Sequence, residues 1–287
     1  MASSLVVSSS LTKAVCNAMK RIAPPALAGS WDNTGLIMES PVQNANAAAN
    51  RVLLTIDITP AVCDEAISRG ASMIVSYHTP IFRGLKALTL ETPLQNTLLR
   101  CAAGGISVYS PHSALDSVFG GIDDWLAECI HAKPPMVDVL GSNPATQAIG
   151  GDGRCVTFDP PVSMEVLEGR IKKSLGLAQI QVGYSRLRPD RLVRTVAICA
   201  GSGASMFSEL GTKADVYFTG EMEHHYILAA VAAGTHVVLC GHTNTERGYL
   251  PVLAQKLSSE LQNEFQAEAA PFDVIVSEAD AHPLQFV

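Results

Sequence analysis

Arg51-Val52-Leu53-Leu54-Thr55-Ile56-Asp57-Ile58-Thr59-Pro60 decides how the rest of the chain is read. The apolar run from Arg51 to Ile56 is short and rich in branched side chains, which predicts a buried strand. Asp57 closes it. Thr59-Pro60 then supplies an N-cap and a first-turn proline for a helix through Ser68, stopped at Gly70.

The same alternation continues downstream. A strand from Met73 to Ser76 runs into Tyr77-His78-Thr79-Pro80-Ile81-Phe82, and a helix from Leu94 to Ala103 ends at Gly104-Gly105. Ile106 to Ser110 reads as the next strand, followed by Pro111-His112-Ser113-Ala114-Leu115-Asp116 and a helix from about Gly121 to Ile130. Strands joined by connections of helix length predict a parallel or mostly parallel sheet. Upstream, Leu11, Val15, Ala18, Met19 and Ile22 fall at helical spacing, Pro24-Pro25 ends that helix, and Trp31-Asp32-Asn33 stands in a loop. Residues 1–21 are Ser-rich, hold Lys13, Lys20 and Arg21, and lack acids, a faint likeness to a mitochondrial presequence. The helical spacing assigns most of that segment to the fold.

Lys133-Pro134-Pro135 and Gly141 to Pro144 mark a composition break. Beyond it, strands are predicted at Arg154 to Phe158, Ile180 to Tyr184, Val193 to Cys199, Val216 to Thr219 and His236 to Cys240. A helix is predicted from Ser163 to Leu175 with Gly176 at its end. Ala200-Gly201-Ser202-Gly203 could form a nest of amides for an anion, but it lacks the lysine and spacing of a phosphate-binding loop and reads as a tight turn. A helix from Pro251 to Leu261 and a strand from Phe272 to Ser277 close the chain, the last strand returning to the first sheet. The expected fold is two α/β domains with mostly parallel or mixed sheets. One is discontinuous, residues 1–132 with 236–287, and the other is 133–235.

Composition narrows the function. The 287 residues are 47% hydrophobic and only 6% aromatic, so Ala, Val, Leu and Ile must build the core. The net charge is −7 with no Lys/Arg block, which argues against direct nucleic-acid binding. Seven scattered cysteines with no C-x-x-C read as reduced core thiols in an intracellular protein, not a zinc cluster. No membrane span is visible.

What remains is a set of polar residues placed alike. His78, the His112/Asp116 pair and His242 each follow a predicted strand, and Glu246 lies four residues beyond His242. Ligands of open α/β sheets bind beyond the carboxyl ends of strands. Imidazole and carboxylate together suit a borderline divalent ion. Glu221 and His225, after another strand, are pocket-lining candidates; His224 and His225 are neighbours on a helix and cannot share a face.

Trp31-Asp32-Asn33-Thr34-Gly35-Leu36, Ser76-Tyr77-His78-Thr79-Pro80-Ile81-Phe82, Tyr109-Ser110-Pro111-His112-Ser113-Ala114-Leu115-Asp116, Thr219-Gly220-Glu221 and Gly241-His242 through Arg247-Gly248 resemble the signature stretches of the Nif-three-like family. That family is named for Ngg-interacting factor three, and its bacterial members are labelled GTP cyclohydrolase I type 2 homologues. The resemblance implies a dinuclear metal site in a cleft between two α/β domains and a hexamer built as a trimer of dimers. It implies that His78, His242 and Glu246 hold one divalent ion and Asp116 with a shared Glu246 a second, of Zn, Mn, Fe, Ni or Mg. Bacterial members carry a His-His pair where this chain has Tyr77-His78, which leaves a single metal, two metals with water in the gap, or recruitment of His112.

The activity expected on these grounds is divalent-metal-dependent hydrolysis of a small phosphate-containing or purine-like molecule. Trp31 would stack on a ring, Asp32 and Asn33 would hydrogen-bond it, and Tyr77 would line the pocket. The alternative is a non-catalytic metal-binding protein acting through a protein partner, such as a transcription-associated one. The expected compartment is the cytoplasm, with nucleus or mitochondrion as the other locations.

Overall fold

The computed structural model describes residues 10–42, 50–131, 137–141, 143–209, 211, 213–265 and 272–284. Residues 1–9 of the presequence-like segment and Lys133-Pro134-Pro135 lie outside these. The chain divides into two compact units, Met1–Leu115 with Leu250–Val287, and Asp116–Tyr249.

The first unit opens with helix α1 (Ser10–Ile22), strand β1 (Gly35–Met38) and strand β2 (Arg51–Thr55). Helix α2 (Pro60–Ser68), strand β3 (Met73–Ser76), helix α3 (Pro93–Ala103), strand β4 (Ser107–Ser110) and the short helix α4 (His112–Ser117) follow. Thr59 Oγ1 accepts the Val62 N–H and Thr92 Oγ1 the Gln95 N–H, each with proline at the next position. Two helices therefore begin where threonine caps a proline-led turn.

The second unit continues with α5 (Ile122–Cys129), β5 (Val137–Gly141), β6 (Asp152–Ser163), α6 (Met164–Leu175) and β7 (Gln181–Gly183). Then come β8 (Leu192–Ser202), α7 (Ala204–Glu209), β9 (Val216–Glu221), α8 (His224–Ala232) and β10 (His236–Leu239). The chain returns to the first unit with α9 (Leu250–Phe265) and β11 (Asp273–Val276).

The first sheet has the order β1-β4-β3-β2-β11 and is parallel except at β1, which runs antiparallel to β4 with Gly35 opposite Ser110. Leu53, Ile74 and Val108 pack with Val62, Cys63, Ala66 and Cys101 of α2 and α3. The alternation of a strand turns Val52 and Leu54 to the other face. α9 lies against β2 and β11, and α1 lies on α9, tied by Arg21 to Glu260 and Glu264. β2 ends at Thr55 and β3 at Ser76, and Asp57 and His78 each stand two residues beyond.

The second sheet has the order β5-β6-β8-β9-β10-β7 and is mixed, with β8, β9 and β10 parallel to one another. β10 is hydrogen-bonded between β9 and β7, and α5 packs on β6 and β8. Residues 116–132 and 236–249 accordingly go with the second unit, whereas the sequence placed them with the first. β11 returns to the first sheet as expected.

Two strands were not anticipated. β1 is a short edge strand that begins at a glycine with φ of 109° directly after a polar loop, and β5 is a short edge strand beside the composition break. Neither has the periodicity that marks a strand in sequence. Among the described residues, no helix is long and apolar enough to cross a membrane.

Candidate metal centre

In the first unit two histidines are oriented by carboxylates. The parallel pairing of β2 and β3 sets Asp57 beside His78, and the His78 Nδ1 lies 2.9 Å from Asp57 Oδ1. A carboxylate can only accept here, so Nδ1 carries a proton. His112 repeats the arrangement one strand over. Its Nδ1 lies 2.7 Å from Asp32 Oδ1, and its backbone, at φ of 32°, is tied to the Tyr77 carbonyl by a 3.2 Å bond.

Asp32 is committed to this work. Oδ2 accepts the Ser113 hydroxyl and the Ser113 N–H, and Oδ1 also accepts the Asn33 N–H at 2.7 Å. Burial pushes its carboxyl up, but the hydrogen bonds from His112 and Ser113 outweigh that and hold it below the ordinary carboxylate value. Asn33 donates from Nδ2 to the Ile81 carbonyl at 2.6 Å. Around His112 stand Trp31, Tyr77, His78 and Phe82, each with its ring nearly perpendicular to the imidazole and 5.5 to 6.3 Å away. Tyr77 is buried, while Trp31 is 62% and Phe82 50% exposed.

In the second unit β10 delivers His242 through Gly241, whose φ of 86° turns the chain into a single 3-10 turn from His242 to Thr245. His242 Nδ1 lies 2.8 Å from Glu221 Oε1 at the end of β9, and Nε2 lies 3.3 Å from Glu246 Oε1. Burial lowers the basicity of His242, but the hydrogen bond and charge of Glu246, with those of Glu221, raise it to about 9. Glu246 is almost wholly buried. Asp116, half-buried at the end of α4, and Glu246 both bring negative charge to the buried Cys199 thiol and help push its pKa up after burial and Asp123 have done so.

Two glycines make room for the pair. A Cβ on Gly201 would stand 2.7 Å from Glu246 Oε1 and 2.9 Å from His242 Nε2, and one on Gly220 would stand 2.7 Å from the His242 Cα. The bare Cα of Gly201 thus forms a cradle directly under both candidate ligand atoms. The Gly201 N–H goes to Thr245 Oγ1 at 2.9 Å, so that amide is already taken and is not spare for an anion.

His78 in the first unit, and His242 with Glu246 in the second, are the side chains of each that could hold a metal ion. Asp116 and His112 stand outside that set. His225 is exposed on α8, with its ring 5.5 Å from that of His224. Glu221 turns out to orient His242, and Asp57 does the same for His78. The sequence marked Asp57 only as the end of a strand. An acid following a parallel strand beside a histidine in the same position was the available signal.

The model of Duf34/NIF3 (NGG1p interacting factor 3) matches residues 11–283. The chain belongs to the Duf34/NIF3 family. It is 46% identical over 283 residues to the protein NIF3 homolog of Schizosaccharomyces pombe, spanning 97% of each chain. It is 36% identical over 272 residues to NGG1-interacting factor 3 of Saccharomyces cerevisiae, spanning 89% of each. Among solved structures, the Bacillus cereus protein related to NIF3 superposes with a TM-score of 0.78 at 20% identity, over 96% of this chain and 99% of that one. Reduced HcgD from Methanocaldococcus jannaschii gives 0.73 at 24% identity, over 93% and 97%. These likenesses to solved structures establish the Duf34/NIF3 fold.

Proposed function

We propose that this Duf34/NIF3 protein is a divalent-metal-dependent hydrolase of a small phosphate-containing or purine-like substrate. The observation that carries the reading is the pairing of both histidines with carboxylates at Nδ1, Asp57 on His78 and Glu221 on His242. A histidine that ligates a metal through Nε2 characteristically gives its other N–H to such a partner, which fixes the tautomer and raises ligand basicity. Glu246, buried beside His242 Nε2 over the Gly201 cradle, would complete the set, with Asp116 reserved for a second ion.

The chemistry supplied by a bound divalent ion would be Lewis acidity toward a phosphoryl or carbonyl oxygen and toward water. The residues of this chain would do the rest. Asp57 and Glu221 hold the histidine rings in register, and Asp32 keeps the His112 Nε2 turned away from its own carboxylate. Trp31 and Phe82 offer exposed aromatic faces on which a planar ring can stack. Asp32, occupied by His112, Ser113 and Asn33, orients the site and leaves substrate contact to His112 and Trp31.

The test is to load the purified protein with Mn, Zn, Fe, Ni or Mg and screen nucleotides and phosphoesters. Turnover that depends on metal and is lost in His242→Ala supports the reading; no such turnover on any substrate defeats it.

One observation favours the second reading, a non-catalytic metal-binding interaction protein. Phe82, Leu85, Leu88, Leu90 and Leu94 expose large apolar side chains within one short segment. Monomeric surfaces seldom gather so many, and copies of the chain in a hexamer or another protein would cover them. Leu88→Asp with Leu90→Asp would then change the mass in solution without touching metal binding.

A further inference from the structure

The end of β8 is held from two sides. Asp123 of α5, with no exposed surface, accepts the Ala200 N–H at Oδ1, 2.8 Å away, and its Oδ2 has no hydrogen-bond partner. Thr245 Oγ1 accepts the Gly201 N–H at 2.9 Å and donates to the His242 carbonyl at 2.7 Å. Thr219 Oγ1 donates to the Gly201 carbonyl at 3.3 Å. A Cβ on Gly201 would stand 2.7 Å from Glu246 Oε1 and 2.9 Å from His242 Nε2, so the bare Gly201 backbone lies close under both atoms and its position limits theirs.

A buried carboxyl with one oxygen unsatisfied is a costly choice for helix packing, because an apolar residue would fill the same space without desolvating a polar group. Burial pushes the Asp123 carboxyl up to about 7, with Arg154 and the Ala200 N–H offsetting only part of that. The single hydrogen bond it makes is the one to the strand under the candidate ligands.

We propose that Asp123 and Thr245 are positioning residues that fix the Ala200–Gly201 floor and thereby set the spacing of the His242 and Glu246 ligand atoms. This rests on the metal reading above. Asp123→Asn keeps a carbonyl acceptor for the Ala200 N–H; Asp123→Ala removes it. Thr245→Ser keeps the hydroxyl; Thr245→Val removes it.

The experiment uses the full chain with Co2+ as the probe, reading affinity and the visible spectrum, together with amide exchange at Ala200 and Gly201 in the metal-free protein. Outer partners of metal ligands typically account for about 10–100-fold in affinity. Asp123→Ala and Thr245→Val are expected to weaken Co2+ binding by about that factor, shift the spectrum and speed amide exchange. Asp123→Asn and Thr245→Ser are expected to restore all three. Should Asp123→Ala fail to fold, the Thr245 pair carries the same comparison. Wild-type affinity and slow exchange in Asp123→Ala or Thr245→Val would overturn the proposal. If the wild type binds no Co2+, or His242→Ala binds it equally well, the metal reading fails. Amide exchange still decides the floor: fast exchange restored by Asn supports it, and unchanged exchange sinks it.

Discussion

Asp57 Oδ1 lies 2.9 Å from the Nδ1 of His78, the relationship that Glu221 repeats with His242 at 2.8 Å. Each carboxylate accepts the Nδ1 proton and so makes Nε2 the nitrogen that a metal would take. Asp57→Ala and Glu221→Ala are therefore expected to weaken divalent-metal binding by about 10–100-fold each. Isothermal titration should show this with secondary structure unchanged. Affinity within error of wild type for both variants would remove the main support for the metal reading.

His242 makes metal uptake depend on pH. In the metal-free protein it stays protonated up to about 9. An ion must displace that proton, so affinity should rise by about tenfold per pH unit between 6.5 and 9 and level off above. The folding linkage has the opposite sign. Because the folded pKa is raised, the stability contributed by the ion pair with Glu246 and Glu221 is full below 6.5 and is lost as pH rises through 9. Proton release measured in two buffers of different ionisation enthalpy checks the first claim. His242→Gln should abolish both dependences.

The strand–helix alternation from Arg51 to Ser110 was legible because each strand is a dense apolar run and each helix carries a cap, a proline or a terminal glycine. β1 and β5 were not, since a short edge strand needs no periodic pattern to pair. The candidate ligands were legible as residue types following strands. Their partners were less so: Asp57 and Gly201 act through spatial neighbours that only the sheet register brings together. The sheet to which β10 belongs was not legible for the same reason, because β10 follows apolar rules common to both sheets and only pairing with β9 and β7 assigns it.

Gly201 offers a sharp separation of strain from site blockage. Alanine there meets Glu246 Oε1 at 2.7 Å and His242 Nε2 at 2.9 Å, and its φ of 60° disfavours any side chain. Gly176, at φ of 67° with nothing within 4 Å, has the strain without the obstruction. Both alanine variants should lose at least about 1 kcal/mol of stability. Only Gly201→Ala should lose metal affinity, by tenfold or more (a change of about 1.4 kcal/mol), and equal affinities in the two variants would refute the cradle.

Arg154 tests what holds the second unit together. Its side chain is 1% exposed, yet it donates to both oxygens of Asp124 and to the carbonyls of Gly151, Gly153, Ser117 and Val118. The guanidinium thereby joins the chain leaving α4, the first turn of α5 and the start of β6. Removing it takes the guanidinium from all of them at once, although Asp124 keeps the Gly120 N–H and the Ser117 and Val118 carbonyls keep the Gly151 and Gly121 N–H groups. Arg154→Met should cost about 3–5 kcal/mol, the range for breaking one partner of a buried pair. Arg154→Lys should recover little, because one ammonium cannot reproduce a planar fork that serves two directions. Asp124→Asn should be milder than either, since the four carbonyl bonds survive it. The order of urea midpoints, wild type above Asp124→Asn above Arg154→Lys and Arg154→Met, checks the argument. A mild Arg154→Met would mean that water replaces the guanidinium and that the network is not what binds α5 to β6.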